Sequence, residues 1–580
     1  MRAKHLGVVA ALTAAAIGVL PSATVAGPSP TGEFTSLTPA RILDTRTGNG
    51  QDGAIEPVGE HQTISVQVTG RGGVASAGVS AVVMNVTVTQ PTQASYLTVW
   101  PKGVPRPLVS NLNFVPGQTV PNLVTVAVGS GGQVNAYNRY GSTHVIFDVV
   151  GFYSGDAGPA GSRFHSIDYP YRYFDTRSGR GGVGTAPLGP DDTLEFNVLG
   201  KGGVPTTGVT GVVMNVTVTQ PTAPSYLTVY PNDVGSPPLA SNLNYVAGLT
   251  VPNLVTVRVP ASGIVNFYNR YGTVHVLADV VGYYDDDRST EAGRFIGLNP
   301  GRVFDTREGV IGGPLCEDCW LWQSMSGYMG VPEFGVSALV LNLTATQPTA
   351  VGFVTVFPDD LCEIPLASNL NFVPGQTVPN HVIVRLAEPV DCAHLDYPMA
   401  FRAYNRYGTV HLIADVFGYF TDDTAYDDWV TLTDDTGAIT VDVPADWDET
   451  WTEPIGEPPE PSLAAATNLD VVLDDWGAAG VLIRALREAA KQYASPADYM
   501  ATWGVWDDCA PVETGSYDDG HYTGVYRTQD HCGAGNAGWV AYVLQAPGED
   551  YFVQVVFNTI APIDQAAMER VLASLDVTWP

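Results

Sequence analysis

Basic residues are scarce in this chain, which carries 27 lysines and arginines against 59 aspartates and glutamates and a formal net charge of −32. Residues 422–580 alone hold 29 acidic side chains and five basic ones. A negative field of this size repels phosphate backbones, so we expect no nucleic-acid partner. The simpler interpretation of this acidic composition is that it keeps an exported protein soluble and prevents nonspecific binding to other macromolecules.

Long hydrophobic runs are confined to the beginning of the sequence. Residues 1–26 place Arg2 and Lys4 ahead of an apolar run from Leu6 to Leu20, followed by small residues. This is the pattern of a secretory signal peptide, which is left out of the fold. No later stretch reaches the roughly 18 uninterrupted apolar residues that a membrane helix needs. We therefore expect a secreted protein, extracellular or loosely associated with the cell wall, with no transmembrane segment and no covalent anchor.

Cysteine is absent until Cys316, and the chain holds six in all. An even count in an oxidising compartment favours disulfides. Cys509 and Cys532 stand alone near the C terminus and are expected to pair with each other. The other four allow three pairings and are Cys316, Cys319, Cys362 and Cys392. A bond between Cys362 and Cys392 is one candidate. For the Cys-x-x-Cys of Cys316 and Cys319 we favour a structural disulfide over a zinc or redox site, because no second ligand pair follows at suitable spacing.

Signatures of catalysis are also lacking. The chain contains neither Gly-Asp-Ser-Gly-Gly nor Gly-x-Ser-x-Gly, the nucleophile segments of serine hydrolases. Nothing singles out a carboxylate pair for glycoside cleavage among the many aspartates. We expect a protein that is not an enzyme and that uses no cofactor.

What the chain does contain is one unit written three times. The block Asn-Val-Thr-Val-Thr-Gln-Pro-Thr at Asn85–Thr92 returns at Asn215–Thr222 and, slightly altered, at Asn342–Thr349. Tyr-Asn-Arg-Tyr-Gly recurs with a similar shift at Tyr137–Gly141, Tyr268–Gly272 and Tyr404–Gly408, and the repeats begin at Phe34, Phe164 and Phe295. The spacing of 130 and then 131 residues is far above that of solenoid repeats, so each unit can bury its own core. We divide the chain into a signal peptide (1–26), three repeats (34–153, 164–284 and 295–420) and a C-terminal domain (426–580).

Within each repeat, short β-branched runs alternate with Gly, Pro and Asn, and no helical period interrupts them. In the first repeat the predicted strands are Thr63–Val68, Val79–Thr89, Tyr96–Trp100, Leu123–Val128, Gln133–Tyr137 and His144–Val150. Short strands at close spacing predict an antiparallel β-sandwich. The fold class is therefore mainly β, with three tandem β-sandwich repeats. Short linkers should keep the repeats as close neighbours in a row.

Several polar residues recur in all three repeats and are the candidate ligand-binding set. They are Asp44, Arg46, Asn111, Asn113, Asn138, His144 and Asp148 in the first repeat, Asp175, Arg177, Asn242, Asn244, Asn269, His275 and Asp279 in the second, and Asp305, Arg307, Asn369, Asn371, Asn405, His411 and Asp415 in the third. His144 and Asp148 share one face of a strand, and a carboxylate among valines needs a partner. Arg46 is the expected one.

Two interpretations of this set stay open. As structure, these side chains cap turns and tie strand ends together, which we favour because buried polar groups are normally satisfied internally. As function, they line one groove per repeat for a glycan or cell-wall polymer, with avidity from three weak sites. The Asn-x-Thr pattern at Asn85 and its copies matches a glycosylation sequon, but it lies inside an apolar strand and is discounted.

The repeats resemble a known type of module. The string from Asn-Val-Thr-Val-Thr-Gln-Pro-Thr through Ser-Asn-Leu-Asn to Tyr-Asn-Arg-Tyr-Gly and His-Val…Asp-Val-Val-Gly is similar to tandem modules of secreted actinobacterial proteins, over about residues 34–420. The resemblance implies a non-catalytic module on an exported protein and assigns no ligand. The second repeat departs from it at Leu249, where the others have Gln118 and Gln376.

The C-terminal domain has a different sequence pattern from the repeats. We predict two strands within Trp429–Val443, further strands at Gly480–Arg484, Tyr522–Arg527, Gly538–Gln545 and Tyr551–Asn558, a helix at Pro496–Trp503 capped by Ser495, and a closing helix at Ile563–Ser574. This is an α+β domain. The string from Thr433-Asp-Asp-Thr-Gly to Val-Pro-Ala-Asp-Trp447, with Tyr-Asp-Asp-Gly-His-Tyr-Thr-Gly between Cys509 and Cys532, is similar to an accessory domain of some actinobacterial secreted serine proteases, over about residues 426–578. The resemblance implies a Mog1/PsbP-like sandwich. The cluster of Asp518, Asp519 and His521 is read as a turn rather than a metal or active site.

Together these features favour a non-catalytic secreted or envelope-associated protein, a spacer, adhesion or binding scaffold that presents the C-terminal domain. A cell-wall glycan or a surface protein is the expected partner, and we expect a monomer. The alternatives are a multivalent binder of carbohydrate or cell-wall polymer, and an accessory part of an exported hydrolase.

Overall fold

The computed structural model describes residues 32–155, 158–287, 292–308, 313–332, 335–359, 361, 363–386, 399–422, 429–469, 479–503, 510–532, 537–559 and 562–579. Strands dominate, as the sequence predicts. Each repeat contains eight of them. In the first repeat they are β1 (Phe34–Asp44), β2 (Thr63–Gln67), β3 (Val79–Thr89), β4 (Ser95–Pro101), β5 (Leu112–Phe114), β6 (Val120–Ala127), β7 (Gln133–Asn138) and β8 (His144–Ser154).

The other two repeats follow the same order. The second has β9 (Arg163–Asp175), β10 (Thr193–Asn197), β11 (Val209–Thr219), β12 (Ser225–Pro231), β13 (Leu243–Tyr245), β14 (Val251–Arg258), β15 (Ile264–Asn269) and β16 (His275–Asp285). The third has β17 (Phe295–Asp305), β18 (Cys319–Ser324), β19 (Val336–Thr346), β20 (Gly352–Pro358), β21 (Leu370–Phe372), β22 (Val378–Arg385), β23 (Ala400–Asn405) and β24 (His411–Thr421).

Each repeat folds into two four-stranded antiparallel sheets that enclose a hydrophobic core. In the first repeat the inner sheet has the order β1-β8-β3-β6 and the outer sheet the order β2-β7-β4-β5. Val82 and Met84 of β3 pack into the core between the sheets, while Ala81 and Val83 on the opposite face of the same strand pack against residues of the other two repeats. Because side chains alternate along a strand, the inner sheet is buried on both faces.

The three repeats close into a ring around a pseudo-threefold axis. Strands β6, β14 and β22 all contact one another at that axis. The residues just before each repeat close the ring in a cyclic pattern: the Phe34 amide bonds the Ser162 carbonyl, the Phe164 amide bonds the Gly293 carbonyl, and the Phe295 amide bonds the Gly32 carbonyl. The prediction of neighbours in a row was therefore wrong, since the first and third repeats touch as directly as consecutive ones.

An aromatic cluster joins the three repeats at one end of the axis. Its members are Phe34, Tyr153, Phe164, Tyr284, Phe295 and Phe420, with neighbouring ring centroids as close as 4.2 Å. The hydroxyls of Tyr153 and Tyr284 lie 2.6 Å apart and satisfy each other. The third repeat has Phe420 at the corresponding position. A third hydroxyl here would be buried without this partner, and phenylalanine avoids that cost.

The Cys-x-x-Cys pair is a disulfide, as we favoured. Cys316 and Cys319 are bonded and sit in a four-residue turn. The same turn in the first repeat is held by a side chain, where Gln62 Oε1 accepts from the Gly59 amide, and in the second by Asp192, whose carboxylate accepts from the Gly189 amide. In the third repeat the disulfide thus takes the place of the side-chain hydrogen bond that closes the same turn in the other two repeats. Cys362, Cys392, Cys509 and the side chain of Cys532 lie outside the described residues, so their predicted pairings stay predictions.

The C-terminal part combines sheets and helices. Its strands are β25 (Trp429–Thr433), β26 (Ile439–Pro444), β27 (Glu449–Trp451), β28 (Ser462–Ala466), β29 (Gly480–Leu486), β30 (Ala510–Asp518), β31 (Thr523–Cys532), β32 (Ala537–Gln545), β33 (Phe552–Thr559) and β34 (Asp576–Val577), and its helices are α1 (Arg487–Gln492), α2 (Pro496–Met500) and α3 (Pro562–Ser574). Seven strands form one antiparallel sheet in the order β27-β28-β29-β33-β32-β31-β30.

Two local predictions in this part are confirmed. Ser495 caps α2, and its hydroxyl accepts from the Asp498 amide at 3.2 Å, although the helix ends three residues earlier than expected. The closing helix α3 buries Ala567, Val571 and Leu572 against the sheet. A Mog1/PsbP-like topology stays a prediction.

Candidate functional site

The predicted clasp between an aspartate and an arginine exists, but a different arginine forms it. Asp148 is 1% exposed, and its carboxylate accepts from Arg41 Nε at 2.8 Å and from Arg41 Nη2 at 3.0 Å. Arg46, the predicted partner, instead bonds its near neighbour Asp44 at 2.8 Å. The prediction was wrong because Arg41 lies directly opposite Asp148 in the β1–β8 register, whereas Arg46 follows the end of β1. The copies are Arg172–Asp279 and Arg302–Asp415, with Arg177–Asp175 and Arg307–Asp305.

Burial and charge act differently on these carboxylates. Burial raises the pKa of Asp148, and the ion pair with Arg41 offsets this only in part. Burial also tends to raise the pKa of Asp44, but hydrogen bonds from Arg46 outweigh it and the pKa is lowered. In the third repeat, burial raises the pKa of Asp415 to about 6. The bidentate bond to Arg41 occupies both oxygens of Asp148, so the group is not presented to a ligand.

The recurring histidines also have internal partners. The Thr45 hydroxyl accepts from the Val145 amide and lies 2.9 Å from His144 Nδ1. His275 and His411 bond Thr176 and Thr306 in the same way. Burial, with the nearby Arg46, lowers the pKa of His144. The His, the Asp and Ile146 do share one strand face, but this face belongs to the inner sheet.

The recurring asparagines hold turns and strand ends. Asn111 Oδ1 accepts from the Val99 amide at 2.6 Å, and Asn113 Oδ1 accepts from the Ser110 hydroxyl at 3.1 Å. Asn138 Nδ2 donates to the Gly141 carbonyl at 2.9 Å. The equivalent bonds of the other repeats are made by Asn242, Asn369, Asn244, Asn269 and Asn405. In the third repeat the direction of one bond differs, because Asn371 Nδ2 donates to Ser368 Oγ at 3.0 Å. These contacts favour the structural interpretation of the recurring set.

Asparagines outside that set form the seams between repeats. Asn85 Oδ1 accepts from Asn253 Nδ2 of the second repeat at 3.0 Å, and Asn253 Oδ1 accepts from the Leu123 amide of the first at 3.2 Å. The cyclic equivalents are Asn380 to Asn215 at 2.9 Å and Asn122 to Asn342 at 2.8 Å. The sequon position Asn85 is 1% exposed, which agrees with its dismissal as a glycosylation site.

The seam between the second and third repeats contains a small cavity. Its polar lining residues are Asn215, Asp279, Ser368, Asn369 and Arg385, the rest of the lining is apolar, and its volume is about 20 Å³. That is room for roughly one water molecule and not for a sugar ring. The recurring Asp therefore faces a seam between repeats and not a ligand groove.

An exposed aromatic residue also recurs in each repeat, within a motif that the sequence predicts only as a turn. The second tyrosine of each Tyr-Asn-Arg-Tyr-Gly pentapeptide projects from the surface, with exposures of 43% for Tyr140, 52% for Tyr271 and 45% for Tyr407. The preceding arginine lies over each ring, with its Cζ 5.0, 5.0 and 5.2 Å from the ring centroid. A polar, aromatic residue repeated at the tip of a glycine turn was the signal that could have found it.

The local structure holds this tyrosine rigidly. Gly141 has a φ of +58°, and a Cβ atom there would come within 2.6 Å of Thr92 Oγ1, so only glycine fits. The Tyr140 amide donates to Ser95 Oγ at 2.8 Å, while Asn138 closes the turn from inside. The predicted positive φ of this glycine is confirmed. The Tyr271 amide donates to Ser225 Oγ in the same way, whereas the third repeat has Gly352 at the position of this serine. Each repeat thus carries an aromatic ring beside a guanidinium, on a turn whose backbone a serine holds in the first two repeats.

The acidic cluster of the C-terminal part is a turn. Asp518 Oδ1 accepts from the Gly520 amide at 3.0 Å, and Asp519 Oδ1 accepts from the amides of His521 and Tyr522 at 2.8 and 2.6 Å. These bonds account for both aspartates by local chain geometry. No group of three or more His, Cys, Asp or Glu residues is placed to hold a metal within the part of the chain that the structure describes. Among those same residues, no helix is both long and apolar enough to cross a membrane.

Comparison with known proteins gives no identity. No family model and no curated protein matches the chain. A structure of the Sulfolobus turreted icosahedral virus matches at 10% identity over 67% of this chain and 92% of that one, with a TM-score of 0.13. A second structure, of the triple jelly roll fold and turret assembly of an archaeal virus, matches at 10% identity over 68% and 91%, with the same TM-score of 0.13. Scores this low carry no argument about fold or function, and the resemblance to secreted actinobacterial modules stays a prediction.

Proposed function

We propose that this protein is a secreted, non-catalytic binding protein whose three repeats form one head that attaches to a repetitive surface polymer, such as a cell-wall glycan. The observation that carries this proposal is the exposed tyrosine with an arginine over its ring, present once per repeat. Aromatic faces stack on sugar rings, and an adjacent guanidinium donates hydrogen bonds in a fixed fork. The C-terminal domain, which we propose to be Mog1/PsbP-like, is the module that the head brings to the surface.

Binding is favoured over spacing by the shape of the head. A spacer gains length from each added repeat, but a closed ring of three gains none. A ring instead holds three equivalent turns in fixed relation to one another. Three weak sites on one rigid body raise the overall affinity for a polymer by orders of magnitude over a single site.

The direct test is sedimentation of the full chain with insoluble actinobacterial cell walls. We expect binding that falls about tenfold in Tyr140→Ala and at least a hundredfold when all three turn tyrosines are replaced. The matched control replaces three other exposed residues that also recur once per repeat, namely Leu108, Leu239 and Leu366, each to alanine; they are 85%, 80% and 72% exposed. Loss of binding in this control with retention in the tyrosine variant would move the site away from the turns. Absence of binding by the unaltered chain would contradict the proposal.

A further inference from the structure

The turn of the first repeat differs from the other two in its charge. In the second and third repeats an aspartate carboxylate accepts two hydrogen bonds, one from the hydroxyl of the first tyrosine of the pentapeptide and one from the arginine of the same pentapeptide. These residues are Asp191, Tyr268 and Arg270, and Asp318, Tyr404 and Arg406. In the first repeat His61 occupies the position of this aspartate and has the same left-handed backbone conformation. Its Nδ1 lies 3.0 Å from Tyr137 Oη.

A second arginine adds to this difference. Arg106 lies over the ring of Tyr137, with its Cζ 3.7 Å from the centroid, and Arg139 Nη1 lies 3.4 Å from Tyr137 Oη. The other repeats have Pro237 and Ile364 at the position of Arg106. The first repeat therefore gathers two guanidiniums around one hydroxyl without the aspartate that balances the charge elsewhere.

The pKa of the first tyrosine of the pentapeptide differs between the repeats. Burial would raise the pKa of Tyr137, but Arg139 and Arg106 outweigh it and the pKa is lowered. Burial and the neighbouring aspartate raise the pKa of Tyr268 and of Tyr404, and the arginine offsets this only in part. The pKa of this tyrosine is thus lowered in the first repeat and raised in the other two.

One carboxylate does approach the first-repeat turn. Glu60 Oε1 lies 3.5 Å from His61 Nε2, and its other oxygen accepts from the Gly141 amide at 3.3 Å. The third repeat has Glu317 on the Gly408 amide in the same way, at 3.0 Å. Because both turns carry this glutamate, it does not account for the difference between them.

We propose that the turn of the first repeat binds an acidic sugar unit of the surface polymer, through a site made of His61, Arg106, Tyr137, Arg139 and Tyr140. The carboxylate or phosphate of the ligand lies between the arginines and beside His61, and it supplies the negative charge that Asp191 and Asp318 supply in the other repeats. The exposed Tyr140 ring stacks on the sugar. This inference rests on the proposed function, since it assigns ligand chemistry to one of its three turns.

The test measures binding of the full chain to immobilised polygalacturonate, with its methyl ester as the neutral control and poly(glycerol phosphate) as the phosphate arm. We expect binding to one or both charged polymers, at least tenfold stronger than to the methyl ester. Arg106→Gln/Arg139→Gln should lose at least tenfold, and so should His61→Asp, because the new carboxylate occupies the arginines. The preferred polymer tells whether the ligand anion is a carboxylate or a phosphate.

Arg71→Gln/Lys201→Gln removes two positive charges elsewhere and should bind as the unaltered chain does. Conversely, Asp191→His/Pro237→Arg, which copies the first turn into the second repeat, should strengthen binding severalfold. Equal losses in the two charge-removal variants, or equal binding to the methyl ester, would overturn the inference. If cell-wall binding depends on the turn tyrosines but not on His61 or Arg106, this inference fails while the proposed function stands. If the charged polymers bind as expected and cell walls do not, the reverse holds.

Discussion

Arg41 and Arg46 lie five residues apart, and each bonds a buried carboxylate, but their loss has different consequences. Arg41 lies across the β1–β8 pair from Asp148, which is 1% exposed, whereas Arg46 is 38% exposed and bonds Asp44, which is 2% exposed. Removing Arg41 takes the ion-pair partner from Asp148 in a medium of low dielectric constant. Removing Arg46 leaves Asp44 with a second cation, because Arg41 Nη1 lies 3.2 Å from Asp44 Oδ2.

We therefore expect Arg41→Met to lower the free energy of unfolding by about 3–5 kcal/mol, and Arg46→Gln to lower it by less than about 1 kcal/mol. Denaturant unfolding of the full chain, followed by the fluorescence of the repeats, measures both. Equal losses in the two variants would contradict the assigned pairing.

His381 occupies a position where the other repeats have Leu123 and Leu254. It is 1% exposed, and its Nε2 lies 3.2 Å from Thr125 Oγ1 across the seam between the third and first repeats. Burial lowers the pKa of His381 to about 3. The folded protein therefore holds the neutral ring at any pH above that value.

This burial predicts acid sensitivity. The unfolded chain takes up a proton on His381 below a pH of about 6.5, whereas the folded chain does not. Stability is thus fully present above that pH and is lost as the pH falls toward 3. Between pH 7 and pH 5 the loss amounts to about 2 kcal/mol. His381→Leu should flatten the pH dependence by this amount in thermal unfolding, and an unchanged slope would contradict the neutral buried state.

At the scale of elements, the sequence predicted the strands that are rich in β-branched residues. Val79–Thr89 matches β3 in both bounds, and most others agree within three residues, although β8 runs on to Ser154. The sequence analysis missed β1, whose Pro39 and bulges disturb the alternation, and β5, which has only three residues. Both form because they pair with strands that are distant in the sequence, and a local sequence pattern does not reveal such pairing.

The candidate site was predictable only in part, for the same reason. The repeated polar residues were identified, but the partner of Asp148 depends on a register that the sequence does not show. Asn85 and Asn122 recur in every repeat, but nothing local reveals that their amides meet another repeat. The turn tyrosines were visible in the pentapeptide. Only their exposure separates them from the buried tyrosine three positions earlier.

At the scale of the whole molecule, the ring makes the three repeats one body. The main contacts at one seam have equivalents at the other two, in the asparagine pairs, in the amides of Phe34, Phe164 and Phe295, and in the shared aromatic cluster. Such cyclic contacts are those of a homotrimer whose subunits have been joined in one chain. The linkers then add little to the geometry, because the seams fix it.

The most direct test of this account is to cut the linkers of the folded protein. A protease site is inserted between residues 156 and 157 and another between residues 289 and 290, and the mass of the particle is measured by light scattering before and after complete cleavage. We predict that the pieces stay together at the mass of the uncut chain, and that they separate when Asn85, Asn215 and Asn342 are replaced by leucine. Separation of the unaltered repeats on cleavage would contradict the ring and restore three independent modules in a row.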